Sequence, residues 1–119
     1  MFLQAITNPE RDYEASLRNV DFAKRYVFPG GQLVSLGAIC DAAAHSGELQ
    51  PTRVEDVTPH YAETLRHWRA RMAGNRAQMR TLGLDERFLR LWDFYLAYCE
   101  GGFRERAIRT LQLKLERAS

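Results

Sequence analysis

At 119 residues, 45% hydrophobic and 27% charged, the chain suits one globular domain with one core. A formal net charge of +2 is too small to argue for a nucleic-acid partner. No apolar run reaches the ~18 residues of a membrane-crossing helix, and Met1–Glu10 has neither the basic start nor the small-residue cleavage site of a signal peptide. The expected location is therefore cytoplasmic. Cys40 and Cys99 form no C-x-x-C pair and read as free thiols in a reducing compartment.

In chain order, Met1–Thr7 (M-F-L-Q-A-I-T) reads as a buried strand ended by Asn8-Pro9. The polypeptide starts inside this strand, so an upstream part is expected. Arg11–Val27 reads as one helix, polar and then amphipathic through Leu17, Val20 and Val27, and stopped by Phe28-Pro29-Gly30-Gly31. Ser35 is placed to cap a helix over Leu36–Ser46, with Leu36, Ile39, Cys40, Ala43 and Ala44 on its buried side and Gly47 just past its end. Thr52–Val57 predicts a strand. Thr58-Pro59 then opens a long helical stretch to Ile108, with Thr58 as N-cap and Pro59 at the first position.

Seven of the thirteen aromatic residues fall between Trp68 and Phe103. Tyr61, Leu65, Trp68, Met72 and Met79 share one helical stripe, with Arg66, Arg69, Arg76 and Arg80 on another face. Gly83 breaks this helix and Asp85 caps the next, where Phe88, Trp92, Tyr95, Cys99 and Phe103 repeat the spacing. Leu89, Phe94, Leu96 and Tyr98 widen its apolar surface until little polar face remains, which predicts enclosure on most sides. Gly101-Gly102 suggests close backbone packing or room for a ligand. Thr110–Glu116 (T-L-Q-L-K-L-E) alternates strictly and predicts a strand. The expected order is strand, two helices, strand, two helices, strand.

The aromatic stripe has two readings, a packed core or a tunnel for an apolar ligand. The arginine face is either a solvated surface or one attracted to anionic headgroups. No metal-ligand spacing, G-x-S-x-G or H-E-x-x-H is present, and Gly30-Gly31 follows a helix, so it reads as a turn rather than a phosphate loop.

Three strings carry a resemblance: R-Y-V-F-P-G-G-Q-L-V-S-L, P-H-Y-A-E-T-L-R-H-W-R-A-R and F-L-R-L-W-D-F-Y-L-A-Y-C-E-G-G-F-R. In register from Met1 to about Glu116, the chain resembles the C-terminal half of the cyclopropane-fatty-acyl-phospholipid synthase and mycolic acid cyclopropane synthase family. The resemblance implies an α/β fold, the last part of a class I (Rossmann-like) methyltransferase. Its sheet order would be fifth, seventh, sixth strand, the seventh antiparallel in the middle, with a large helical insertion over 58–108. It implies S-adenosylmethionine as methyl donor to a cis double bond of a phospholipid acyl chain, and a bound bicarbonate that removes a proton before ring closure.

By the same resemblance, Tyr61 of P-H-Y helps hold bicarbonate, and Phe28, Leu33, Leu65, Tyr95, Cys99 and Phe103 line the acyl pocket. No cofactor-binding or metal residue is expected in this chain, because the family's cofactor loop, ribose-binding acid, and a glutamate and histidine of the bicarbonate site lie upstream. Val34 stands where the family has a proline, and T-N-P-E-R-D-Y stands for T-I-P-D-x-R-Y. The expected partners are lipid acyl chains, an anionic membrane surface at the periphery, and either the upstream half or a second copy paired through the Met1–Thr7 edge. The isolated chain is expected to be inactive. The alternative is a stand-alone, non-catalytic module that binds a lipid or a protein.

Overall fold

The computed structural model describes residues 1–118. Its organising element is the last one, β3 (Arg109–Arg117), in which Leu111, Leu113 and Leu115 are buried at every second position. A strand with such a face needs neighbours on both edges. It has β1 (Phe2–Thr7) on one side and β2 (Leu49–Asp56) on the other, antiparallel to both. Leu3 and Val54 both register with Leu113, and Ala5 and Asp56 with Leu111. The sequence-based order, with the last strand in the middle, is thus what the chain adopts.

The two outer strands differ from expectation. β1 is not buried: Phe2 is 81% exposed and only Thr7, which bridges to Val34, is fully covered, and no described strand lies beyond that edge. β2 starts at Leu49 rather than Thr52 and ends before Val57. Its register shifts between Pro51 and Arg53, as a residue without an amide hydrogen requires on an edge strand.

Between β1 and β2 lie three helices, not two. The predicted helix over Arg11–Val27 is broken into α1 (Glu10–Arg18) and α2 (Phe22–Tyr26). The break is chemical. The Asp21 carboxylate accepts the Lys24 amide at 2.9 Å, starting a new helix, and the Lys24 ammonium caps the open carbonyls of Ser16 and Asn19. α3 (Leu36–Ser46) begins as predicted, with the Ser35 hydroxyl accepting the Ala38 amide at 3.0 Å, and ends at Gly47 with φ 72°. Only Ala43 on α3 is fully buried; Ala44, expected inside, faces solvent. Glu10 reaches the exposed Gly37 amide at the start of α3, tying α1 to α3 where the helix dipole favours a carboxylate.

Between β2 and β3 the helical stretch divides into α4 (Thr58–Gly74), α5 (Arg76–Thr81) and α6 (Glu86–Arg104). Asn75 interrupts the run that its spacing predicts as continuous. Asp85 caps α6 as expected, accepting the Phe88 amide at 2.8 Å. α4 and α6 pack as an antiparallel pair. Ala62, Leu65, Met72, Leu96 and Phe103 form the core between them, with Ile6 of β1 packed against it. A Cβ on Gly102 would sit 3.1 Å from Ile108, so that glycine serves close packing.

Thr58 is not the N-cap of α4; Val57 holds that position without a side-chain bond. The Thr58 hydroxyl is buried and works sideways. It donates to Asp56 and accepts the Thr110 amide of β3 at 3.1 Å. Asp56 also accepts the Thr58 amide at 2.9 Å and pairs with Arg106. Burial pushes the Asp56 carboxyl up, but the two Thr58 bonds and the Arg106 guanidinium outweigh it and hold it below its ordinary 3.8.

Two predictions follow from this joint. Thr58→Val leaves the Thr110 amide buried and unsatisfied, so urea titration should show a loss of about 1–3 kcal/mol. Because the Asp56 pKa is depressed on folding, its contribution is complete above 3.8 and fades as pH falls through the folded value. Urea titrations between pH 6 and pH 3 should show Asp56→Asn starting less stable than the wild type, with the gap narrowing below 3.8.

Candidate functional site

The paired helices α4 and α6 place most of the resemblance-assigned residues together, because their apolar spacings of three and four keep one stripe of each helix facing the other. Leu65 and Phe103 are buried at the centre, 4% and 2% exposed. Tyr61, Tyr95 and Cys99 are half-buried and packed on that cluster. The Tyr61 ring meets Phe103 edge-on at 5.0 Å and Trp68 at 6.3 Å. Phe28 reaches across from the turn after α2 and sets its ring edge-on to Tyr95 at 6.0 Å, remaining 55% exposed. Leu33 stands apart from the cluster, half-buried beside the bridge between Thr7 and Val34.

The predicted enclosure of α6 is only partial. Phe94 and Tyr98 face outward, covered on one side by Phe22 of α2, with ring centroids 4.6 and 6.1 Å away. The Tyr98 hydroxyl donates to the Asp21 carboxylate at 2.9 Å, so one side chain both caps α2 and ties it to α6. This link between residues 77 positions apart has no signal in local spacing.

A cleft of about 320 Å³ opens beside the cluster, lined chiefly by Trp68, Met72, Met79, Trp92 and Leu96, with Arg71 and Asn75 on its rim. None of the seven assigned residues lines it. It is nonetheless continuous with them through ring contacts, since Trp68 touches Tyr61 and Trp92 lies 5.1 Å from Tyr95. The stripe spacing of Trp68, Met72, Met79 and Trp92 is the signal that points to this lining.

The wall is electrically neutral at ordinary pH. Burial, then the neighbouring Cys99, pushes the Tyr95 phenol well above its usual range. Burial and the bond to Asp21 raise Tyr98 to about 12. Burial raises the Cys99 thiol, and a hydrogen bond from Tyr95 only partly offsets it. Burial thus disfavours the thiolate form of Cys99. Among the described residues, no three His, Cys, Asp or Glu side chains are placed to hold a metal ion. No described helix is long and apolar enough to cross a membrane.

The four arginines expected to form a cationic face are each paired with a carboxylate. Arg66 pairs with Glu63 at 2.6 Å, Arg69 with Asp93 at 3.1 Å, and Arg76 and Arg80 with Glu86 at 2.8 and 2.7 Å. The last three pairs cross between helices, so they hold the hairpin closed rather than presenting free charge.

The family model for mycolic acid cyclopropane synthetase matches residues 1–113. Tuberculostearic acid methyltransferase of Mycobacterium tuberculosis is 41% identical over 115 residues, covering 97% of this chain and 27% of that protein. A probable fatty acid methyltransferase of Pseudomonas putida is 36% identical over 93 residues, covering 78% of this chain and 23% of that one. The crystal structure of mycolic acid cyclopropane synthase CmaA1, complexed with SAH and CTAB, matches with a TM-score of 0.84 at 30% identity, over 98% of this chain and 43% of that chain. The cyclopropane synthase MmaA2 from Mycobacterium tuberculosis shares the fold, with a TM-score of 0.82 at 23% identity. The chain spans 27%, 23% and 39% of the length of three curated relatives. With its middle strand, its helical hairpin and these matches in agreement, the chain belongs to the mycolic acid cyclopropane synthetase family and forms a C-terminal part of its class I methyltransferase fold.

Proposed function

We propose that this chain is the acyl-chain-binding part of an S-adenosylmethionine-dependent methyltransferase that methylenates cis double bonds of phospholipid acyl chains. The observation that carries this reading is the uncharged wall of rings on α4 and α6. It runs from Phe28 and Tyr95 through Trp92, and from Phe103 through Tyr61 to Trp68, and is left half open. An apolar, slot-shaped surface with raised phenol and thiol pKa values accepts a hydrocarbon and offers it no charge. In this reading Phe28, Leu33, Leu65, Tyr95, Cys99 and Phe103 contact the chain, and Trp68, Met79 and Trp92 extend the wall.

The glycine pair does not make a phosphate-binding loop. Gly30 and Gly31 follow α2 rather than a strand, and a Cβ on Gly31 would meet the Phe28 carbonyl oxygen at 3.0 Å, so the turn closes on itself. S-adenosylmethionine would supply the methyl group from a site formed by the remainder of a longer protein, and no transfer step is assigned to residues of this chain. Bicarbonate fits in one respect. The contacts of Tyr61 are made by its ring, which leaves a phenol donor beside apolar surface, where one O–H can hold an anion oxygen. Its other donors would also come from outside this chain. The free edge of β1 supports that arrangement: an unpaired apolar strand edge accepts another strand, either from that remainder or from a second copy.

Calorimetric titration of the chain with S-adenosylmethionine should show no binding at micromolar concentration. In parallel, 9,10-dibromostearate should quench the fluorescence of Trp68 and Trp92, and Met79→Arg, at a half-buried position of the cleft lining, should abolish the quenching. Micromolar cofactor binding, or quenching absent from the wild type, contradicts the reading.

A further inference from the structure

We propose that Tyr98 is a positioning residue for the ring wall: bonded to Asp21, it holds α2 on α6 so that Phe28 stays against Tyr95. The inference rests on the acyl-binding reading. It adds a residue that faces away from the wall and sets one member of the wall in place.

α2 has five residues, too few for a helix to keep its shape in water unaided. Its place must come from what it touches. On the outer face of α6, the Phe22 ring meets Phe94 edge-on at 4.6 Å and lies 6.1 Å from Tyr98. The Tyr98 hydroxyl donates to Asp21 Oδ2 at 2.9 Å, while Asp21 Oδ1 accepts the Lys24 amide. Phe94 and Tyr98 remain 53% and 40% exposed, so the rings supply only part of what full burial would. Ring contacts also tolerate sliding. The charge-assisted bond has a fixed length and direction, and it sets where α2 sits along α6.

The consequence appears at the other end of α2. The Val27 and Phe28 amides both donate to the Ala23 carbonyl, at 3.0 and 2.7 Å, so Phe28 is carried by the last turn of α2. The Phe28 carbonyl accepts the Gly31 amide at 2.8 Å, closing the turn behind it. Burial does not hold Phe28, which is 55% exposed; among the described residues its ring partner is Tyr95, at 6.0 Å. Tyr95 and Tyr98 are three positions apart on α6 and therefore neighbours on its surface. The tie thus lies one turn from the contact it serves, and α2 spans the two.

Tyr98→Phe removes the bond but keeps the ring and the Asp21 cap, so it separates the tie from the packing. In nuclear Overhauser spectra of the chain without ligand, cross-peaks between the Phe28 and Tyr95 rings should fall several-fold in this variant. Those between Trp92 and Tyr95, both on α6, should stay. Phe28→Ala should raise the 9,10-dibromostearate concentration for half-quenching about tenfold. Tyr98→Phe should raise it about fivefold. Because Tyr98 acts through Phe28, the double variant should be no worse than Phe28→Ala alone. Losses that multiply, to about 50-fold, give Tyr98 a role in packing only and overturn the proposal. So does a half-quenching concentration, or a set of Phe28–Tyr95 cross-peaks, that Tyr98→Phe leaves unchanged. These results leave the acyl-binding reading intact, whereas a wild-type chain that is not quenched at all overturns that reading and this proposal with it.

Discussion

The structure turns on a single buried hydroxyl. Thr58 lies where the sheet hands the chain over to the helices, bonded to Asp56 at the end of β2 and to the Thr110 amide in β3. β3 is last in sequence but central in the sheet, so the whole excursion through α4, α5 and α6 must start beside the point where it ends. The Thr58 joint meets that requirement with one side chain. Arg106, pairing with Asp56 from the far end of the excursion, closes it again. With both ends pinned, the facing stripes of α4 and α6 have little freedom of register, and Tyr61, Leu65 and Phe103 come together.

Periodicity made the main elements legible. The alternation of Leu111, Leu113 and Leu115 announces β3, and steps of three and four announce the stripes of α4 and α6. What local pattern misses is chemistry that acts across distance. The break between α1 and α2 comes from Asp21 and Lys24 competing for backbone groups, a contest that hydrophobic spacing does not register. Thr58 has the composition of an N-cap, yet its hydroxyl has a better partner in a strand 52 residues away. β1 reads as buried because its residues are apolar, but burial needs a neighbour, and beyond that edge the described strands supply none, only Val34 bridging Thr7 at its end.

The site shows the same division. Aromatic spacing points to the ring wall, and the resemblance names its members, of which Leu33 stands apart from the shared cluster and Phe28 reaches it only through the Tyr95 ring. The arginines are the clearest case of pattern without partners. Spacing gathers Arg66, Arg69, Arg76 and Arg80 on one face, whereas the packed hairpin gives each a carboxylate, two of them sharing Glu86. Exposed pairs of this kind contribute little stability each. Their effect is to hold the hairpin closed, since three of the four pairs cross between helices.

The account stands or falls on the acyl chain lying against α4 and α6. Photolabelling with a cis-alkenoic acid bearing a mid-chain diazirine, followed by peptide mass mapping, tests this directly. Crosslinks should fall within residues 61–68 and 92–103, and unlabelled oleate should compete them away. Labelling confined to α1 or α3, or spread over the surface and indifferent to oleate, would contradict the account.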